Sequence, residues 1–206
     1  MEMTTALWSF ALVVGLLTLT PGLDTALVLR TSALAGRRQA WGVVLGIQTG
    51  TLIWGTLTSA GVTALLTASQ VAYEVLRWGG AAYLVWMGVG MLRSRGVQAP
   101  QEEAPARGGF RYGWRRGALT NLLNPKVGVF YVAVLPQFIP SGVPHFAAGV
   151  ALTCVHVVEG GLWSAVLVGF AQVVRGWLRR PSARRLMDRV TGAVVVGFGL
   201  RLALSD

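Results

Sequence analysis

Between Met3 and Leu23 the chain carries no charged residue, and this apolar run closes on Thr20-Pro21-Gly22-Leu23-Asp24. A stretch of about 20 such residues is long enough to cross a bilayer as a helix. Proline removes a backbone donor and glycine loosens the chain, so the helix is interrupted before the run ends. In lipid every backbone polar group needs a partner, and non-helical backbone at membrane depth persists only where it is packed in protein or lines a cavity. Broken spans of this kind are where transporters place substrate and coupling-ion sites. The stretch is therefore expected to form part of a permeation site.

The remaining chain has the same character. It holds 206 residues, 53% of them hydrophobic and 13% charged, with a mean hydropathy of +0.57, which is too apolar for a soluble domain. The expected fold is an all-α membrane protein with six transmembrane helices in a single domain. The spans are expected over residues 6–29, within 39–73, and over 73–92, 119–139, 145–174 and 186–204. A first half at 1–92 and a second at 117–206 flank a cytoplasmic loop at 93–116, whose 98–105 segment reads as a flexible linker. Residues 140–144, bounded by prolines, turn the chain between spans four and five. Glu2 and the absence of a basic flank argue for a retained first span rather than a signal peptide.

The net charge of +10 could suggest nucleic acid, but the basic residues lie between apolar runs, so topology explains them better. The loops after spans one, three and five hold 16 of the 18 Lys and Arg. This bias places those loops in the cytoplasm and both termini outside, in the plasma membrane. Three spans in each half then run in opposite directions, as in two inverted three-helix repeats. Pro21 late in span one and Pro136 late in span four, within Leu135-Pro136-Gln137, are the expected equivalents.

Gly42, Gly46 and Gly50 recur every four residues, a stripe that lets another helix approach closely, from within the chain or from a second copy in a homodimer. Trp41, Trp78, Trp114 and Trp177 fall near span ends, as interfacial anchors do. The single cysteine, Cys154, excludes an internal disulfide and reads as packing filler.

Three groups could carry chemistry. Asp24 is an intramembrane acid, costly to insert by about 2.5–3.5 kcal/mol and so a functional candidate; it could also be the N-cap of a helix starting at Thr25. Glu159 follows His156 by three residues, which sets both on one helix face, where they could relay protons or satisfy each other. Asn121, Asn124, Pro125 and Lys126 open span four, with Asn124 a natural cap for a helix beginning at Pro125. That helix start and Lys126 could attract a carboxylate, although a snorkelling lysine beside a simple cap explains the same residues. No zinc-protease, nucleophile-elbow or Walker pattern is present, so neither an enzyme nor a self-contained ATP-driven pump is expected.

Several of these motifs, in order, resemble the LysE/RhtB family of amino-acid exporters. They are Thr20-Pro21-Gly22-Leu23-Asp24, Gly80-Ala81-Ala82-Tyr83-Leu84-Val85-Trp86-Met87-Gly88, Asn121-Leu122-Leu123-Asn124-Pro125-Lys126 through Leu135-Pro136-Gln137-Phe138, and Gly197-Phe198-Gly199-Leu200-Arg201-Leu202-Ala203. The resemblance implies a six-span bacterial inner-membrane protein that exports an amino acid or derivative in exchange for protons, without a cofactor. Asp24 with Pro21 and Gly22 would bind the substrate ammonium or the coupling proton. Asn124 and Lys126 would take the carboxylate, with Asn121, Pro125, Pro136 and Gln137 alongside, and His156 and Glu159 would relay protons. Leu23 stands where the family usually has a second proline, and Trp54 where relatives often have a small or polar residue, which bears on pocket size. A metal-ion exporter is the alternative by distant family analogy, although one Cys and two His disfavour soft metals. A membrane scaffold is the other alternative, and it would need no intramembrane acids.

Overall fold

The computed structural model describes residues 2–68, 70–93, 108–171, 173 and 180–204. Among these the regular elements are all helical. They are α1 (Met3–Leu19), α2 (Leu23–Leu34), α3 (Arg37–Ala68), α4 (Gln70–Leu92), α5 (Gly109–Leu122), α6 (Pro125–Val129), α7 (His145–Gly169) and α8 (Pro181–Leu204). α6 runs on through a π-helical turn, Phe130–Val134, and a 3-10 turn, Leu135–Phe138.

Among the described residues two stretches are long and apolar enough to cross a membrane, Arg37–Gly61 and His145–Gly169. Two bent pairs raise this to four when each pair is one span: α1 with α2, and α5 with Pro125–Phe138, each bent by 54°. α4 adds a shorter apolar stretch, Trp78–Leu92. The 98–105 linker lies outside the described residues, as do Arg95, Arg107, Arg175, Trp177 and Arg179.

The largest boundary difference from expectation is in α5. α5 begins at Gly109, so residues 109–116, read as loop from their arginines, are helix. The reason is a backbone seam with α3. A Cβ at Gly42 would overlap the Phe110 carbonyl, one at Gly46 the Trp114 carbonyl, and one at Gly113 or Gly117 the carbonyls of Gln39 or Val43. Gly113 and Gly117 are buried while Arg111 and Arg115 stay exposed, so an otherwise basic segment forms a packed helix. The glycine stripe of α3 is thus used within the chain. α4 and α8 are packed in a similar way, with Gly88 and Gly192 each facing the other's carbonyl.

One apolar cluster joins Phe10, Phe130, Tyr131, Phe138 and Leu152, with Phe10 edge-on to Phe138 at 5.4 Å. A second joins Val28, Val43, Val44 and Leu167. Large side chains also point outward, among them Trp8, Leu12, Leu57, Trp86 and Leu162. An outward apolar shell suits lipid, which solvates it as well as a protein core would. Trp41, Trp78 and Trp114 are exposed as expected of anchors, and Trp114 Nε1 donates to Thr49 Oγ1 at 3.2 Å. Cys154 is exposed on α7, so it is not packing filler.

Candidate functional site

The first break follows from one missing donor. In a continuous helix the Leu17 carbonyl would accept from residue 21, and Pro21 has no N–H to give. α1 therefore stops at Leu19, Thr20 turns to extended backbone, and α2 restarts after Gly22. Asp24 is the second residue of α2, whose N-cap is Gly22, so Asp24 is not the cap of a helix starting at Thr25. Its carboxylate is instead available to side chains across the break.

The second break lies at 123–124. Asn124 Oδ1 accepts the Lys126 backbone N–H at 3.1 Å, and Pro125 takes the first position of α6. This matches the capping arrangement expected from the sequence. The 54° bend of this helix pair therefore lies at Asn124-Pro125, and Pro136 falls beyond it. Pro136 lies in the 3-10 turn, where Gln137 Nε2 donates to the Ala133 carbonyl at 2.7 Å.

The two breaks meet. Lys126 Nζ donates to the Leu17 carbonyl at 2.9 Å and to the Thr20 carbonyl at 3.0 Å, both at the end of α1. Asn121 Nδ2 donates to Asp24 Oδ2 at 2.8 Å, and the Asn124 side chain and Lys126 interact with the same carboxylate. Asn121 is aimed by the glycine seam, since a Cβ at Gly50 would overlap its side chain. The Thr20 hydroxyl also meets that of Thr191, tying the break to α8.

These groups line a cavity of about 70 Å³, room for only a few waters. Gly22, Asp24, Asn121, Asn124, Lys126 and His156 all border it, with Thr18, Gln48, Thr51, Trp163 and Ser164. Four buried atoms among these have no partner within the protein: Asp24 Oδ1, Asn121 Oδ1, Thr18 Oγ1 and Trp163 Nε1. An unmet buried polar atom costs about 1–3 kcal/mol, so a cavity bordered by four residues that each carry one is a candidate place for a polar ligand. It offers two acceptors, one donor and a hydroxyl.

The sequence expectations divide here. His156 Nδ1 pairs with the Tyr131 hydroxyl at 2.9 Å, and the two rings stack at 5.7 Å. Glu159 lies elsewhere, against α1: a Cβ at Gly15 would sit 3.3 Å from its Oε2. Pro125 and Trp54 border a separate apolar groove of about 380 Å³, where Trp54 presses on Gly128. Trp54 therefore does not narrow the Asp24 cavity. Tyr131, Trp163 and Ser164 carried no sequence signal, since they sit in ordinary apolar runs. Gln48 and Thr51 could have been noticed as polar residues within the uncharged stretch of α3. Among the described residues no three His, Cys, Asp or Glu side chains group as metal ligands would.

The profile of one protein family, LysE type translocator, matches residues 6–206. The chain belongs to this family. The homoserine/homoserine lactone efflux protein of Salmonella typhi is 32% identical over 198 residues, covering 95% of this chain and 96% of that protein. The threonine efflux protein of Escherichia coli (strain K12) is 30% identical over 196 residues, 91% of this chain and 92% of its own. An uncharacterized membrane protein of Bacillus subtilis (strain 168), YrhP, is 24% identical over 208 residues, 97% and 99% of the two chains. No solved structure matches. As a LysE type translocator the chain is a membrane transporter and not an enzyme.

Proposed function

We propose that this translocator exports a small hydroxylated amino acid from the cytoplasm across the bacterial inner membrane, in exchange for protons. The observation that carries the reading is the cavity where the two broken spans cross, with its unpartnered Asp24 and Asn121 oxygens beside the Lys126 ammonium. Two relatives are named for efflux of homoserine/homoserine lactone and of threonine, and homoserine and threonine are both hydroxylated α-amino acids. In this reading the substrate ammonium donates to Asp24 Oδ1 and Asn121 Oδ1. The carboxylate accepts from the third N–H of Lys126, two being engaged by α1, and from the N–H groups that open α2, where the helix end favours negative charge. Thr18 and Trp163 then face the side-chain hydroxyl.

The wider arrangement belongs to the same reading: six spans in two inverted three-helix repeats, both termini outside, and a proton path through Glu159 and His156. The bend equivalence at Pro21 and Asn124-Pro125 supports the repeat, and the buried, unpartnered Glu159 Oε2 supports an acid in the path. A homodimer would need a surface other than the α3 glycine stripe, which α5 covers.

The test is counterflow in proteoliposomes over the common amino acids, with and without a pH gradient. Threonine, homoserine or serine exchange should be driven by the gradient, and Asp24→Asn should lower it at least about tenfold, equivalent to about 1.4 kcal/mol of lost binding, with the protein still folded. Undiminished exchange in that variant would remove Asp24 from the site.

A further inference from the structure

Lys126 does something at the first break that its position in the sequence did not announce. The end of α1 is rich in oxygen and poor in hydrogen. The Leu17 carbonyl has lost its helical donor to Pro21, and the Thr20 carbonyl lies past the last residue of α1. A helix C-terminus carries roughly half a negative charge, and the Asp24 carboxylate acts on the same point. Unwound carbonyls at a half-helix end, next to a carboxylate, are the ligands with which broken-helix transporters coordinate a coupling cation. Here the ammonium of Lys126 takes that seat, 2.9 Å and 3.0 Å from the two carbonyl oxygens. It arrives from the opposite span, fixed at its base by the Asn124 cap and by Pro125. Asp188 on α8 is the second carboxylate whose charge reaches it.

We propose that the Lys126 side chain is a tethered cation, filling a monovalent-cation seat at the broken end of α1, so that the site is complete without Na+. A seat made of two carbonyls, in the field of the Asp24 charge, has no preference for the tether itself. It needs one positive charge and donors or a bare ion of the right size. The view that the third N–H holds a substrate carboxylate rests on the proposed amino-acid reading; the cation seat does not.

The experiment separates the two. The full chain and Lys126→Ala are purified in detergent and their melting midpoints compared in NaCl, methylammonium chloride and choline chloride at equal ionic strength. The unmodified protein should melt at one temperature in all three. Lys126→Ala should melt lower by roughly 5 °C or more, the order expected when a charged donor is removed from two buried carbonyls in a chain of this size. It should regain at least about half of that loss, saturably, in Na+ or methylammonium but not in choline, which is too large for a seat between two carbonyls. No recovery, or an equal cation-specific gain in the unmodified protein, would overturn the proposal. Should Lys126→Ala fail to fold, the double variant with Pro21→Ala restores a donor to the Leu17 carbonyl and should fold without any cation response; a response there would also overturn it. Counterflow by the unmodified protein with Na+ replaced by choline should be unchanged, and a requirement for Na+ would refute the tether regardless of how the variants behave. Absence of amino-acid exchange under all conditions would instead sink the export reading and leave the melting result standing.

Discussion

The two bent helix pairs turn through the same 54° but satisfy their breaks in opposite ways. The second is capped from within: Asn124 accepts the Lys126 N–H and Pro125 supplies a residue that needs no partner there. The first has no cap of its own, because Gly22 has no side chain and Pro21 leaves a carbonyl without a donor. Its Leu17 and Thr20 carbonyls accept from Lys126, and one oxygen of Asp24 accepts from Asn121, both from the second pair. One break is self-sufficient and the other depends on it. A site results because the dependent break needs polar groups delivered across the bundle, and those groups define the cavity.

The comparison can be broken most severely by detaching the second span from its support. Gly46→Leu would drive a side chain into the Trp114 carbonyl, where backbone cannot yield. A loss of about 3 kcal/mol or more is expected, seen as failure to recover monodisperse protein after extraction. A smaller effect sharpens the dependence itself. Asn124→Ala should cost about 1 kcal/mol as a lost cap, read as a lower melting midpoint, and it should also loosen the first break by releasing Lys126. In a Pro21→Ala background, where the Leu17 carbonyl has its own donor, the same change should cost less, with a coupling of about 0.5 kcal/mol or more in a double-mutant cycle. Strict additivity would mean that the first break does not depend on the second. The smallest effect is expected at Gly15→Ala, where the new methyl meets only the end of a flexible glutamate. Stability should stay within about 0.5 kcal/mol, and a larger loss would show that α1 is held as tightly as α5.

Much of this was legible beforehand, and what was not had a physical reason. Helices, the break at Pro21 and the Asn124-Pro125 cap follow from local chemistry, and local chemistry can be read from neighbours in sequence. The start of α5 was misread because loop-like arginines sit on the exposed side of a helix whose buried side is glycine, and glycine announces close approach only when its partner is known. Pro136, a proline late in its apolar run, draws the eye as Pro21 does, yet the bend in that run lies earlier and uses an asparagine cap. The roles of Tyr131 and Trp163 are set by which helix crosses which, and no spacing along the chain encodes that. His156 and Glu159 share a face by count, but that face is wide enough to split between the cavity and α1.

The α3–α5 seam has a mechanical consequence. A contact made of side chains can adapt by changing rotamers, letting two helices slide by fractions of a turn. Where carbonyl meets glycine Cα, as at Gly42, Gly46, Gly113 and Gly117, no side chain is there to rearrange. The pair must travel as one beam or come apart entirely. The short length of chain between Leu19 and Leu23 is joined differently, by the reach of one lysine side chain to the Leu17 and Thr20 carbonyls, and a side chain of that length can follow a small shift without letting go.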